Sequence, residues 1–207
     1  MVEDPDGELL RRWQAGDRQA GDALIERFLP TLYRFFRNKA PDEVEELAQR
    51  TWLGVLERAD RLELDKGLRP YLLGVARNQL MMHLTRHLRD RARFDPGTMS
   101  IAEVSGSPSA AVAARENRRL LLDALRRLPL DLQLAVELFY WERLPLAEIA
   151  TVCEVPVGTV KSRLARAKDV LRRLIRDADA APASIEGAGA ELERWAADLQ
   201  RDLADDR

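Results

Sequence analysis

An all-α fold is predicted: two small helical modules joined by a flexible linker, followed by a helical C-terminal extension. Three observations predict it. Leu, Ala, Arg and Glu dominate the 207 residues, and these residue types favour helices. Apolar positions recur at three- and four-residue spacing rather than in alternation. One Pro-, Gly- and Ser-rich stretch, 95–110, interrupts that periodicity. The reading divides the chain into a first module at 1–94, a linker at 95–110, a second module at 111–177 and an extension at 178–207.

Leu9, Leu10 and Trp13 begin the first helix, and Gly16-Asp17 interrupts it. Ala20, Leu24, Phe28, Leu32, Phe35 and Phe36 continue at helical spacing, with Pro30 expected to kink or re-set the helix. Pro41-Asp42-Glu43 is a helix start, with acids in the first turn where the macrodipole favours them. The helix it opens turns Val44, Leu47, Ala48, Val55 and Leu56 inward and Glu43, Glu46, Gln49 and Arg50 outward. A polar break runs from Asp60 to Arg69. Pro70 then opens a long helix with Leu72, Val75, Ala76, Leu80, Leu84 and Leu88 as its stripe. Arg77, Arg86, Arg89, Arg91 and Arg93 stand against Asp90 alone, a local net of +4.

Beyond the linker, Leu121, Leu122, Leu125 and Leu128 form a stripe that Pro129 ends. Asp131 reads as the N-cap of the next helix, which ends near Trp141. Ala178 to Ala190 is rich in Ala, Gly and Pro and reads as flexible. Leu192, Trp195, Leu199 and Leu203 then recur at helical spacing among acids. From Asp177 to Arg207 there are nine acids and three arginines, a net of −6.

Composition excludes several classes. A formal net charge of −2 means that any nucleic-acid role rests on local charge. Cys153 is the single cysteine, so no intramolecular disulfide forms, which suits a reducing cytoplasm. The N-terminus is acidic and lacks a signal-peptide core, and no run approaches the roughly 18 apolar residues of a membrane span. Membrane insertion is therefore not expected. His83 and His87 are four apart on a helix, but no third ligand stands near, so no metal or other cofactor is expected. With no phosphate loop, catalytic triad or paired carboxylates, the chain does not read as an enzyme. Trp13 and Trp141 read as core anchors.

The sharpest chemistry lies between Pro145 and Arg176, where seven basic residues face three acidic ones. Leu146, Ile149 and Ala150 pattern a short helix, Cys153-Glu154-Val155 a tight turn, and Val157-Gly158-Thr159 the start of a second helix. Val160, Leu164, Ala167 and Leu171 form its buried face, and Lys161, Ser162, Arg163, Arg166 and Lys168 lie on or near the exposed side. This is the plan of a helix-turn-helix, whose second helix enters the major groove with its N-terminal side chains at the base edges. Lys161 and Arg166 can donate to guanine acceptors or to phosphates.

The segment Val155–Ala167, with Glu148-Ile149-Ala150 before it, closely resembles region four of extracytoplasmic-function sigma factors. Asp42-Glu43-Val44-Glu45-Glu46-Leu47-Ala48-Gln49-Arg50-Thr51-Trp52 is similar to that family's polymerase-binding helix, and Arg69–Asn78 to the start of its promoter-melting helix. The resemblance covers roughly 7–176 and implies a factor that binds core RNA polymerase, recognises the −35 and −10 elements of promoter DNA and helps to open the duplex. Carried over by position, Glu43, Glu46, Leu47, Gln49 and Arg50 contact the polymerase. Leu64, Asp65, Lys66 and Arg69 lie in a 61–69 loop that captures a flipped −10 base. That loop has no aromatic residue, so capture would rest on polar contacts and shape. Arg77 and Asn78 hold the separated strand, and Thr159, Lys161, Ser162, Arg163 and Arg166 read the −35 element. Family members are often held by an anti-sigma factor. Glu154 stands where many members carry glycine; a positive φ there would cost up to about 1 kcal/mol.

Two other classes use the same features. One is a stand-alone helix-turn-helix regulator with the first module as a dimerisation domain. The other is an anti-sigma or adaptor protein that reads no DNA. The pair Asp42–Trp52 and Arg69–Asn78 favours the sigma factor over both. In the extension, Leu192, Trp195, Leu199 and Leu203 are candidate regulatory contacts. An acidic amphipathic helix there could fold onto a basic DNA-binding surface or onto the first module; a frayed, solvated helix is the alternative.

Overall fold

Asp17 starts the second helix of the chain by accepting, through Oδ1, a hydrogen bond from the Ala20 amide at 3.2 Å. The preceding helix ends at Gln14, and the turn after it passes through Gly16, whose φ of +96° glycine adopts without strain. Gly16 and Asp17 thus separate α1 (Pro5–Gln14) from α2 (Arg18–Arg37). The computed structural model describes residues 5–58, 67–87, 95–102 and 122–177, and the side chains of 87 and 175–177 lie outside that description. The chain divides into two compact units, Met1–His87 with Thr151–Glu154, and Leu88–Ala150 with Val155–Arg207.

In the first unit α2 is continuous for 20 residues. Pro30 does not end it, so of the two expectations, a kink or a re-set, the re-set does not hold. The carbonyl that loses its donor belongs to Glu26, an exposed residue that water can reach. Leu24, Phe28, Leu32, Phe35 and Phe36 are all buried along one side of α2. Trp13 crosses it at Gly21, where a Cβ would lie 2.7 Å from the indole, so only glycine admits the ring. Lys39 is also buried; its ammonium donates to the Phe35 carbonyl and lies 4.3 Å from the centre of the Phe35 ring.

A 3-10 turn at Pro41–Glu43 precedes α3 (Val44–Leu56), so the helix proper begins after the acids that signalled it. α4 follows as Leu68–His87, with Pro70 in its first turn, where the missing N–H breaks no helical bond. Leu47, Thr51 and Val55 of α3 share the inner face with Ala48 and Trp52. Leu68, Leu72, Leu73, Ala76, Leu80 and Leu84 of α4 complete the core. Leu56 departs from expectation: it is 42% exposed.

In the second unit, residues 95–102 lie within the sequence-expected linker yet are packed. Met99 O accepts from the Leu130 amide and Pro96 O from the Asp131 amide, both at 3.0 Å. Ile101 is fully buried. Periodicity misses this segment because backbone hydrogen bonds and one apolar side chain hold it, not a helical stripe. A helical turn at 122–126 precedes α5 (Leu130–Val136), which continues into a π-helical turn, Glu137–Trp141. Pro129, not Asp131, is the N-cap of α5. α6 (Leu146–Cys153) and α7 (Val157–Asp177) follow. Cys153 is buried. Among the described residues no helix is long and apolar enough to cross a membrane, and no cluster of three or more His, Cys, Asp or Glu gathers for a metal.

Candidate nucleic-acid interface

The turn between α6 and α7 is closed by two backbone bonds. The Val155 amide donates to Ala150 O at 3.0 Å and the Glu154 amide to Thr151 O at 3.3 Å. This is a Schellman closure, and it puts the residue after the helix in the left-handed region. Glu154 sits there with φ +55°, the positive φ that would make glycine the easier residue. The chain then re-enters a helix at once: Pro156 O accepts from the amides of Thr159 (2.9 Å) and Val160 (3.2 Å).

α7 is anchored by Val160, Leu164, Ala167 and Leu171, all buried, as their spacing predicts. α7 packs against α5. Its opposite side carries Gly158, Lys161, Ser162, Ala165, Arg166, Asp169 and Arg173, all exposed. At 3.6 residues per turn these lie within about 140° of arc. Gly158, Ser162 and Ala165 form a low track along the middle, with Lys161 on one flank and Arg166 and Arg173 on the other. A groove of DNA can approach such a track closely while cations reach phosphates or guanine edges on either side. Val157, 39% exposed at the helix start, can contact a thymine methyl.

Of the five residues assigned from sequence to −35 reading, Lys161, Ser162 and Arg166 share this face. Thr159 is half-buried and serves locally: its carbonyl accepts from Ser162 Oγ at 2.9 Å. Arg163 is turned away. Its guanidinium donates to Asp131 of α5, and both side chains are largely buried, at 18% and 15% exposure. Arg163 is therefore engaged inside the unit rather than offered to DNA. The reason is geometric: it lies about 100° round the helix from Ser162, toward the buried side. Sequence reasoning passed over Val157 and Arg173, which helical-wheel position alone would have picked out.

In the first unit the outer face of α3 carries Glu46 and Gln49, both exposed, and Arg50, half-buried. Arg50 donates to Glu46 at 2.5 Å, an i,i+4 surface pair of a few tenths of a kcal/mol. One turn further along the same face stands Leu53, 50% exposed, with Leu56 near it, 42% exposed. Glu43 is half-buried, 3.8 Å from His83. Leu47, expected from the resemblance to touch a partner, is instead core at 1% exposure. Its neighbours one and two turns on, Thr51 and Val55, are core as well, so the 3.6-residue period turns all three inward.

On α4, Asn78 is exposed and Arg77 is half-buried with Nη1 3.3 Å from Asn78 Oδ1; Arg69 is half-buried. Met82, Thr85 and Arg86 extend the exposed stripe of Asn78 by one and two turns, and sequence reasoning did not single them out as a surface. Leu64, Asp65 and Lys66, and the tail residues Leu192, Trp195, Leu199 and Leu203, lie outside the described residues.

An all-helical chain that pairs a helical bundle with a basic helix-turn-helix has the build of a DNA-binding transcription factor. Comparison with known proteins narrows the class. The family described as Sigma-70 region 2 matches residues 24–96, and Sigma-70, region 4 matches residues 118–171. The RNA polymerase sigma-H factor of Pseudomonas aeruginosa is 28% identical over 189 residues, covering 85% of this chain and 96% of its own. The sigma factor BldN of Streptomyces coelicolor, of the extracytoplasmic-function group, is 32% identical over 174 residues, covering 82% of this chain and 66% of its own. Two solved structures share the fold. The sigma factor RpoE of Bartonella quintana, in complex with the anti-sigma factor NepR, aligns with a TM-score of 0.59 at 22% identity over 75% of this chain and 96% of its own. CnrH, in complex with the cytosolic domain of CnrY, aligns at 0.60 and 23% over 86% of this chain and all of its own.

The chain belongs to the sigma-70 family of RNA polymerase sigma factors, in its extracytoplasmic-function group. It is an alternative sigma factor that directs transcription initiation.

Proposed function

We propose that the two units divide the work of promoter engagement between them. The first, within 1–94, binds core RNA polymerase through the outer face of α3, with Glu46, Gln49 and Arg50 as the polar contacts and Leu53 and Leu56 as the apolar ones. The exposed stripe of α4 that begins at Asn78 holds the separated strand. Leu64, Asp65 and Lys66, together with Arg69, which lies in the first turn of α4 and not in the expected 61–69 loop, capture a −10 base. Such capture needs a pocket for an unstacked base. The second unit, within 111–177, reads the −35 element with Lys161, Ser162, Arg166 and Val157 of α7. The linker raises the effective concentration of one site at the other, so two modest interactions act as one strong one.

The chain does no chemistry itself in this reading; the polymerase does. It works in the cytoplasm. An anti-sigma protein is the expected regulator, because the two structural neighbours were each solved as a complex with such a partner or a cytosolic fragment. One observation carries the proposal: the solvent face of α7 pairs a low central track with unengaged cations on both flanks.

The test is reconstitution with core polymerase and run-off transcription over a genomic promoter library. The expected result is a set of start sites that depends on this chain and weakens with Lys161→Ala or Arg166→Ala. A footprint unchanged in both variants would overturn the assignment of α7 as the reading helix.

A further inference from the structure

The exposed cations of α7 have no partner among the described residues. Arg163 is held by Asp131, Arg172 by Asp169 at 2.7 Å, and Lys168 lies 5.8 Å from the centre of the Tyr140 ring. Lys161, Arg166 and Arg173 remain, all on the solvent face. Thirty residues, 178–207, follow directly from the end of this helix, and those from Glu191 to Asp206 include six acids and two arginines.

The spacing of the two charge sets agrees. At helical period Glu191, Asp198, Asp202 and Asp205 fall on one face, at steps of seven, four and three residues. Arg166 and Arg173 are also seven apart, about 10.5 Å along the axis, the same interval as Glu191 to Asp198 and Asp198 to Asp205. The apolar stripe Leu192, Trp195, Leu199 and Leu203 lies beside those acids, where the low track of Gly158, Ser162 and Ala165 leaves room. Residues 178–190 can extend to about 43 Å, far more than a hairpin return from Asp177 to Arg173 requires.

We propose that residues 191–206 dock antiparallel on the solvent face of α7 in the free protein, their carboxylates occupying the positions that DNA phosphates take. This inference rests on the reading of α7 as the DNA-binding helix. It makes the extension a competitor for promoter DNA, displaced when a duplex of sufficient affinity, or a duplex presented with polymerase, takes its place.

The chain has four lysines, Lys39, Lys66, Lys161 and Lys168, which makes zero-length carbodiimide cross-linking informative. In the full-length protein at about 50 mM salt, where surface electrostatics is strong, Lys161 should couple to carboxylates in 191–206, and the product should vanish in 1 M salt. Binding to a 30-base-pair duplex of mixed sequence is the second readout. Neutralising the tail (Glu191→Gln, Glu193→Gln, Asp198→Asn, Asp202→Asn) should tighten it by about fivefold or more, since freed cations gain phosphate contacts. Neutralising four carboxylates of the first unit (Asp22→Asn, Glu26→Gln, Glu45→Gln, Glu57→Gln) makes the same change in net charge and should tighten it less than twofold.

Absence of a Lys161 cross-link to 191–206, or equal tightening by the two variants, overturns the docking. A Lys161 cross-link in a protein that binds no duplex in any variant leaves the docking intact and removes the DNA reading of α7 instead.

Discussion

Asp131, in the first turn of α5, and Arg163, in the second turn of α7, form an ion pair across 32 residues of sequence. The pair ties α7 to α5 beside the buried Val160, Leu164, Ala167 and Leu171, which turn the opposite side of the helix outward. Removing one partner strands the other in a largely dehydrated site. Asp131→Ala should therefore cost the second unit about 1–3 kcal/mol in urea unfolding. Asp131→Ala with Arg163→Ala should cost less than the sum of the single variants, the mark of a direct interaction.

The same pair separates positioning from reading. Arg166 is exposed and unengaged, so Arg166→Ala should weaken −35-dependent binding by about 1–3 kcal/mol if it reaches a base edge. If it reaches a phosphate instead, the slope of log K against log salt falls by about one. Arg163→Ala should lower stability and leave that slope unchanged. A slope that drops for Arg163→Ala as it does for a phosphate-contacting residue would show that the arginine leaves Asp131 to touch DNA.

Glu154 carries a local strain that substitution can relieve. Its φ of +55° is costly for a residue with a Cβ, by up to about 1 kcal/mol once the extra entropy glycine loses on folding is set against it. Glu154→Gly should stabilise the helix-turn-helix by about 0.5–1 kcal/mol net. Glu154→Ala keeps the Cβ and should bring no such gain. Chemical denaturation of both variants, followed by amide exchange in α6 and α7, tests this directly.

Asp17 supplies a pH-dependent contribution in the first unit. Its carboxylate accepts from Arg12 Nη2 at 2.6 Å and Nε at 3.0 Å, and from the Ala20 amide. The Arg12 hydrogen bonds, then the Ala20 amide, hold its carboxyl below the usual 3.8. A group whose pKa is lower in the folded chain stabilises it above the unfolded value and ceases to as the pH falls through the folded one. The contribution is thus constant near neutrality and disappears below about pH 4. A carboxyl-carbon NMR titration should put the Asp17 midpoint below that of free aspartate, and Arg12→Gln should return it toward the ordinary value.

Much of this was legible in the sequence because long helices report their own faces. The stripe of α2 matches the buried residues, as does the buried side of α7, since apolar and polar residues there alternate at one clear period. In α4 Leu72, Ala76, Leu80 and Leu84 are buried as expected, but Val75 is half-buried, Leu68 and Leu73 join the core, and Leu88 lies outside the described residues. α3 was harder. Leu53 and Leu56 make it apolar on two sides, and a motif resemblance placed Leu47 outward where packing turns it inward. Arg163 was misread for another reason: its partner is remote in sequence, so no local pattern marks it. Residues 95–102 look like linker by composition, yet two backbone bonds and Ile101 hold them.

The two sides of α3 give the last prediction, because they separate folding from partner binding within one helix. Leu47 is 1% exposed, and Leu47→Ala should destabilise the first unit by about 2–5 kcal/mol. Leu53 and Leu56 are half in water already, so polar replacements there remove little from the core. Leu53→Ser with Leu56→Ser should leave the thermal melt within a few degrees of the parent while abolishing capture by core polymerase. On the proposed contact face these two are the large exposed apolar side chains of α3, and the neighbouring Glu46–Arg50 pair is too exposed to replace them. Retained capture by the double serine variant would move the polymerase contact off this face, and a collapsed melt would return both leucines to the core.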